Sequence, residues 1–175
     1  MKVFAFDPRR RLLLSAGGGL LLTAALPPPA AAAGGEVEIA MSGTANGSEV
    51  WFRPRGLLIQ PGQTVRWVNR DAGNVHTATA YHPDNGKVLR IPQGAKSWNS
   101  DYLMPGESFT QVFTVPGVYD YFCLPHEHAG MVGRIIVAQA DASVRPYADT
   151  DAKLPKAALA HLPAVADILK GTPIQ

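Results

Sequence analysis

The stretch that most constrains this chain surrounds its only cysteine, Cys123, and is read as YDYFCLPHEHAGM. His126 follows that cysteine by three residues, and Met131 follows it by eight. Thiolate, imidazole and thioether are the side-chain groups that a soft metal such as copper selects. Their clustering, with Ala129 and Gly130 leaving the backbone free to curve around a small ion, favours a metal-binding loop. The alternative is that Cys123 is a small buried apolar residue and Met131 belongs to the core.

A trigonal site of one cysteine and two histidines with a weak axial methionine is the ligand set of blue-copper electron-transfer centres. The loop supplies three of these four ligands, so a second histidine must come from elsewhere. His76 follows the predicted strand that contains Trp67 and could meet the loop at one pole of a sheet structure, whereas His82 precedes a proline in an irregular segment. The other imidazoles are those of His128 and His161.

The segment from Gly117 to Val137, read as GVYDYFCLPHEHAGMVGRIIV, resembles the copper-loop strand pair of plastocyanin and, more loosely, that of pseudoazurin. The resemblance to these cupredoxins extends from about Leu57 to Val137, roughly half of the chain. It implies an all-β, cupredoxin-like Greek-key β-sandwich that holds one copper ion, cycling between Cu(I) and Cu(II). The ligands that it implies are His76, Cys123, His126 and Met131.

Residues 1–33 are interpreted as an export signal. Arg9 to Arg11 precede an apolar run from Leu12 to Leu26, and small residues follow at Ala31 to Ala33. The apolar run is too short and too rich in glycine for a membrane span. The basic, apolar and small-residue regions of the segment, in that order, are typical of a secretory signal. The paired arginines favour the twin-arginine route of bacteria, so we expect a periplasmic protein. The alternative is an uncleaved anchor.

The charge balance gives no sign of a polyanionic partner. The chain has a formal net charge of +2, but residues 1–33 hold four of its 16 basic residues and only one of its 14 acidic residues. Neither nucleic acid nor, after signal removal, stable membrane association is therefore predicted, and a monomer is expected. A single cysteine cannot form a disulfide within its own chain, and a metal would protect it in an oxidising compartment.

Residues 36–138 are predicted to form the cupredoxin domain, because short strand-like runs alternate with turn signals. The region from Tyr81 to Pro105 is expected to be an irregular excursion with at most one short helix. Two of the strands should form a hairpin around the Pro116-Gly117 turn, namely Ser108–Val115 and Val118–Phe122. The other predicted strands are Leu57–Ile59, Thr64–Asn69, Val132–Val137 and Glu36–Met41, the last of which begins a first strand pair that extends to Phe52.

Residues 139–175 form an Ala-rich C-terminal extension. Apolar residues recur at helical spacing from Leu154 to Leu169, which predicts one or two short amphipathic helices interrupted at Pro163. Pseudoazurin carries helices at this place, packed against the sandwich, so the resemblance implies the same packing here. The alternative is a flexible tail.

Three residues beside the predicted ligands bear on the site. Family members usually have Asn directly after the first histidine ligand, and this Asn ties the two ligand-bearing loops together. This chain has Thr77 at that position, and its shorter side chain is expected to make only part of that hydrogen-bonded connection. Glu127 and His128 are expected at the surface beside the site. The His-x-His pattern does not indicate a trinuclear copper cluster, because five histidines in all are too few.

The leading hypothesis is a blue-copper electron carrier and not an enzyme, because four protein ligands leave no open position for catalysis. The alternative is periplasmic copper storage or delivery, which favours exposed Met/His clusters, and this chain has only four methionines. Redox proteins are expected to dock transiently near His126. The apolar patch predicted for that docking comprises Leu57, Leu124, Pro125, Ala129 and Gly130.

Overall fold

Two four-stranded sheets organise the protein, described here as a computed structural model covering residues 35–138, 144–147 and 153–175. The predicted signal segment, residues 1–33, lies outside the described residues. The all-β prediction is confirmed, and β5 is the strand that the sequence pattern missed. The strands are β1 Val37–Gly43, β2 Val50–Arg53, β3 Gly56–Ile59, β4 Gln63–Asn69, β5 Thr79–Ala80, β6 Ser108–Phe113, β7 Gly117–Phe122 and β8 Val132–Val137.

The two sheets pack face to face as the predicted sandwich. The first has the strand order β2-β1-β4-β6 and the second the order β3-β8-β7-β5. Both are mixed, because β1 runs parallel to β4 and β3 runs parallel to β8. Trp67 of the first sheet meets Tyr121 of the second edge-on, with ring centroids 5.4 Å apart, and Phe52 lies 4.7 Å from the same tyrosine ring. These aromatic contacts form the centre of the core.

The predicted hairpin between Ser108–Val115 and Val118–Phe122 is wrong. Strand β6 pairs with β4 in the first sheet, whereas β7 pairs with β5 and β8 in the second. Phe113 and Tyr119 are buried on either side of the crossing with their rings 5.0 Å apart, and the Tyr119 hydroxyl donates to the Val115 carbonyl at 2.6 Å. Packing between the sheets therefore overrides the local preference of a Pro-Gly turn for a hairpin.

The described residues of the C-terminal extension pack on the second sheet. Helices α1 (Lys156–His161) and α2 (Val165–Ile168) are separated at Pro163, and their apolar residues join clusters on the outer face of β7 and β8. Beyond them, the Ile174 N–H donates to the Gly56 carbonyl at 2.9 Å, at the edge of the sheet. Within the described residues, no helix is long and apolar enough to cross a membrane.

The excursion between Tyr81 and Pro105 contains one short 3₁₀ helix, Pro83–Asn85, in agreement with the prediction. It is nevertheless well packed, because Ile91 and Trp98 are buried in the core. The excursion therefore covers the side of the sandwich instead of extending into solvent.

A buried charge network joins the second sheet to the extension. Asp120 on β7 and Arg134 on β8 are cross-strand partners, and the guanidinium donates to both carboxylate oxygens at 2.6 and 3.0 Å. Arg90 Nε donates to the same carboxylate at 2.8 Å. A further guanidinium nitrogen of Arg134 donates to the Pro163 carbonyl at 2.7 Å. The network thus fixes the segment between α1 and α2 on the sheet.

We expect Asp120→Asn to lower the free energy of unfolding by about 3–5 kcal/mol, because two buried guanidinium groups lose their shared negative charge. Urea unfolding of the metal-free protein measures the loss. Glu38→Gln is the matched control, since Glu38 pairs with Arg70 at 2.8 Å on the surface and such a pair contributes at most about 1 kcal/mol. Equal losses in the two variants would contradict a structural role for the buried network.

Candidate metal centre

Three potential metal ligands converge at one end of the sandwich. His76 lies between β4 and β5, Cys123 directly follows β7, and His126 lies in the 3₁₀ helix Leu124–Ala129. The donor atoms of the three residues all lie within 4.8 Å of one another. Cys123 Sγ is 3.6 Å from Nδ1 of His76 and 3.4 Å from Nδ1 of His126. Both imidazoles therefore present the same ring nitrogen to the sulfur.

These separations fit donors that share one ion. Metal bonds of about 2.3 Å to sulfur and about 2.0 Å to nitrogen, at angles of about 110 to 120°, place the two donors about 3.5 to 3.7 Å apart. The sulfur–nitrogen distance to His76 lies within that range, and the distance to His126 lies just below it. One thiolate with two imidazoles is, in addition, the donor set that suits copper.

Met131 belongs to the same loop and is held by backbone hydrogen bonds to two of these residues. The Cys123 N–H donates to the Met131 carbonyl at 2.9 Å, and the Met131 N–H donates to the His126 carbonyl at 3.1 Å. Met131 is fully buried and shares the core cluster with Cys123. Gly130, with φ at 84°, supplies the left-handed turn that ends the 3₁₀ helix just before it. The loop thus folds back so that its two ends meet.

Thr77 joins the two ligand-bearing segments. Its N–H donates to Cys123 Sγ at 3.3 Å, and its hydroxyl oxygen accepts from the Leu124 N–H at 2.8 Å. The hydroxyl also lies 2.9 Å from the hydroxyl of Thr79, which fixes its orientation. The short side chain of Thr77 therefore does reach the segment that follows Cys123, and the backbone N–H of the same residue supplies the second contact.

Burial keeps all three converging donors neutral in the metal-free protein. It raises the pKa of the Cys123 thiol to about 11, although hydrogen bonds from Thr77 partly oppose it. Burial also lowers the pKa of His76 and that of His126. At neutral pH the imidazoles therefore offer free lone pairs, whereas the thiol must lose a proton before it can bind a metal.

His76 makes a second contact that the sequence reasoning missed. Its Nε2 lies 3.1 Å from Oδ2 of Asp71, and both side chains are buried. Burial by itself would raise the pKa of Asp71, but hydrogen bonds from Asn74, from the Gly73 N–H and from His76 outweigh it and lower that pKa. The carboxylate is therefore charged at neutral pH. Asp71 opens the turn Asp-Ala-Gly-Asn, a recognisable turn signal, but no sequence pattern shows where its carboxylate points.

The remaining polar residues of the region lie partly as predicted. His128 is exposed, as expected, and His82 caps the 3₁₀ helix Pro83–Asn85, where its Nδ1 accepts from the Asp84 N–H at 3.2 Å. The prediction that Glu127 lies at the surface is wrong. Its carboxylate is buried and pairs with the ammonium of Lys87, which makes burial of the charge tolerable.

The C-terminal extension also reaches the loop. The ring of His161, the last residue of α1, packs so closely on Gly130 that any side chain at position 130 would collide with it. The sequence predicts Gly130 as a flexible loop position and as part of the apolar patch, and it gives no sign of this contact. The contact places α1 directly over the residue that precedes Met131.

We expect zinc, a redox-inert probe that accepts nitrogen and sulfur ligands, to release about one proton per ion on binding between pH 7 and 8. The reason is that the raised pKa keeps Cys123 protonated there, while the imidazoles are already neutral. Zinc affinity should accordingly rise about tenfold per pH unit below the thiol pKa. Calorimetry in buffers of different ionisation enthalpy measures the protons, and Cys123→Ser should release none. Equal release from both proteins would contradict the thiol as its source.

Comparison with known proteins identifies the relatives of this chain. Residues 38–138 match the family model described as copper binding proteins, plastocyanin/azurin family. Plastocyanin from Scenedesmus fuscus is 39% identical over 97 residues, covering 53% of this chain and 92% of that protein. Chloroplastic plastocyanin from Chlamydomonas reinhardtii is also 39% identical over 97 residues, and this chain spans only 62% of its length.

Among solved structures, a pseudoazurin from Sinorhizobium aligns with a TM-score of 0.55 at 27% identity, covering 78% of this chain and 94% of that one. The match extends beyond the 53% of this chain covered by the first plastocyanin alignment. The family model covers more than half of the sequence and includes every residue of the candidate centre. The chain belongs to the plastocyanin/azurin family of copper-binding proteins.

Proposed function

We propose that this protein is a blue-copper electron carrier that moves single electrons between periplasmic redox proteins. The ligands of its one copper ion are, in this proposal, His76, Cys123, His126 and Met131. The convergence of the Cys123 sulfur with Nδ1 of both histidines, in a family of copper-binding proteins, is the observation that carries the proposal. Bound copper would supply the one-electron couple between Cu(I) and Cu(II).

The surroundings of these residues suit electron transfer better than catalysis. Cys123, Met131 and His76 are fully buried, and only His126 is partly exposed. Hydrogen bonds from Thr77 and within the loop hold the donors in place, so little rearrangement is needed when one electron is gained or lost. Four protein donors leave no position for a substrate. This supports a carrier and not an enzyme.

The absorption spectrum of the copper-loaded protein tests the proposal. We expect an intense thiolate-to-copper band toward the red end of the visible range, and we expect Cys123→Ser to lose it, because an alcohol does not ionise in place of the thiol. Far-UV circular dichroism controls for the fold of the variant. A colourless protein that holds only Cu(I) would favour the alternative, copper storage or delivery. A band that survives in Cys123→Ser would overturn the site.

The exposed surface around His126 supports this end of the molecule as the docking face. Leu124 is 48% exposed, and Pro125 and Ala129 are exposed as well. The prediction that Leu57 and Gly130 belong to the patch is wrong. Leu57 is buried in the core within β3, and Gly130 is covered by His161.

Two further exposed residues that the sequence did not single out lie near the site. Leu103 exchanges two backbone hydrogen bonds with His76, at 2.8 and 3.2 Å, so its neighbours in the chain lie near the site. Those neighbours, Tyr102 and Met104, are 55% and 53% exposed. An apolar surface beside a partly exposed ligand lets a redox protein approach closely, and transient redox contacts are small, below about 1,200 Å² in total.

We expect Leu124→Asp to slow electron self-exchange between copies of the protein at least about tenfold, because like charges would then face each other at the contact. NMR line broadening in mixtures of the Cu(I) and Cu(II) forms gives the rate. The visible spectrum and the reduction potential should stay nearly unchanged. Val112→Asp adds the same charge at a 47% exposed position on β6 and serves as the control. Equal slowing in both variants would mean that electrons leave the protein through another face.

The proposal also includes the domain boundaries and the cellular location. Residues 1–33 would be removed as an export signal, residues 36–138 would form the copper domain, and residues 139–175 would be the C-terminal extension. The basic, apolar and small-residue regions at the N-terminus support export to the periplasm. The mature protein would act as a monomer.

A further inference from the structure

The carboxylate of Asp71 is aimed at one particular ring nitrogen. Its Oδ2 lies 3.1 Å from Nε2 of His76, the nitrogen on the opposite side of the ring from Cys123. His76 has no exposed surface, so water cannot take the place of this acceptor. Among the described residues no carboxylate is hydrogen-bonded to the ring of His126, so the arrangement distinguishes the two histidines.

The carboxylate is fixed from several directions. Its Oδ1 accepts from the Gly73 N–H at 2.9 Å, and its Oδ2 accepts from the Asn74 side-chain amide at 2.9 Å. The Asp71 N–H donates to Oδ1 of Asn69 at 2.9 Å, which holds the backbone at the end of β4. Gly43 at the end of β1 lies against Oδ2, and any side chain there would collide with it. The carboxylate therefore has little freedom to turn away from His76.

This geometry selects one tautomer of the imidazole. A neutral imidazole carries its proton on one nitrogen and a free lone pair on the other. An acceptor at Nε2 places the proton there, and the lone pair then lies on Nδ1, which faces Cys123 Sγ. A negative charge hydrogen-bonded to the far side of the ring also makes the near nitrogen a stronger donor. A stronger donor favours the more highly charged state of a metal.

We propose that Asp71 is a positioning residue that fixes His76 as its Nε2–H tautomer and thereby shifts the Cu(I)/Cu(II) equilibrium toward Cu(II). The redox part rests on the proposed function. The tautomer part concerns the metal-free protein and stands independently of copper.

The redox part is tested with Asp71→Asn, whose amide oxygen can accept the same hydrogen bond without the charge. We expect the variant to bind copper and keep the visible band, while its equilibrium shifts about tenfold toward Cu(I), a rise of about 59 mV in reduction potential. Voltammetry measures the shift. Asp84→Asn is the matched control, because Asp84 forms an exposed carboxylate–histidine pair with His82 at 3.2 Å. An unchanged potential in blue, copper-loaded Asp71→Asn would overturn the redox part and leave the electron carrier standing.

The tautomer part is tested by ¹⁵N NMR of the histidine rings in the metal-free protein. The parent should show His76 with its proton on Nε2, and Asp71→Ala should increase the population with the proton on Nδ1. The ring of His126 is the internal reference. Asp71→Ser, which is also too short to reach the ring, replaces Asp71→Ala where the latter does not fold. A His76 tautomer that does not respond to loss of the carboxylate would overturn this part, whether or not the protein binds copper.

Discussion

The hydrogen bond from the Cys123 N–H to the Met131 carbonyl, at 2.9 Å, is the interaction on which the centre depends. It continues the ladder between β7 and β8, whose last paired residues are Phe122 and Val132. The residues between Cys123 and Met131 must therefore reverse the chain over a short distance, and the 3₁₀ helix Leu124–Ala129 makes this reversal. Because buried backbone groups need partners, a loop that failed to close here would leave several polar groups unsatisfied. Sheet pairing thus determines where the sulfur and the loop imidazole meet.

The other histidine of the centre, His76, lies 47 residues before Cys123 in the sequence. His76 is held by backbone bonds to Leu103 on one side and by the carboxylate of Asp71 on the other. Thr77, the next residue, bonds to both Cys123 and Leu124. The first imidazole is therefore positioned by contacts independent of any metal. A site assembled in this way is already close to its metal-binding geometry before an ion arrives.

Much of the candidate centre can be proposed from the sequence, because Cys123, His126 and Met131 lie in one short run whose spacing can be read directly. The strands followed from alternation of polar and apolar residues, and the break at Pro163 followed from proline chemistry. The errors share a physical cause. Which sheet receives β7, and whether Glu127 is buried beside Lys87, are decided by packing between distant segments. The contact between Asp71 and His76 was not predicted for the same reason, since it depends on the direction in which a turn places one carboxylate oxygen.

The pairing of the extension with β3 has a consequence for association between chains. β3 is an outermost strand of the second sheet, and such strands present free N–H and C=O groups that can template pairing with another molecule. Ile174 accepts from the N–H groups of Arg55 and Gly56, at 2.7 and 3.2 Å, and donates back to the Gly56 carbonyl. The segment around Ile174 thus pairs with the start of β3 and leaves fewer backbone groups of this edge free to pair with another chain.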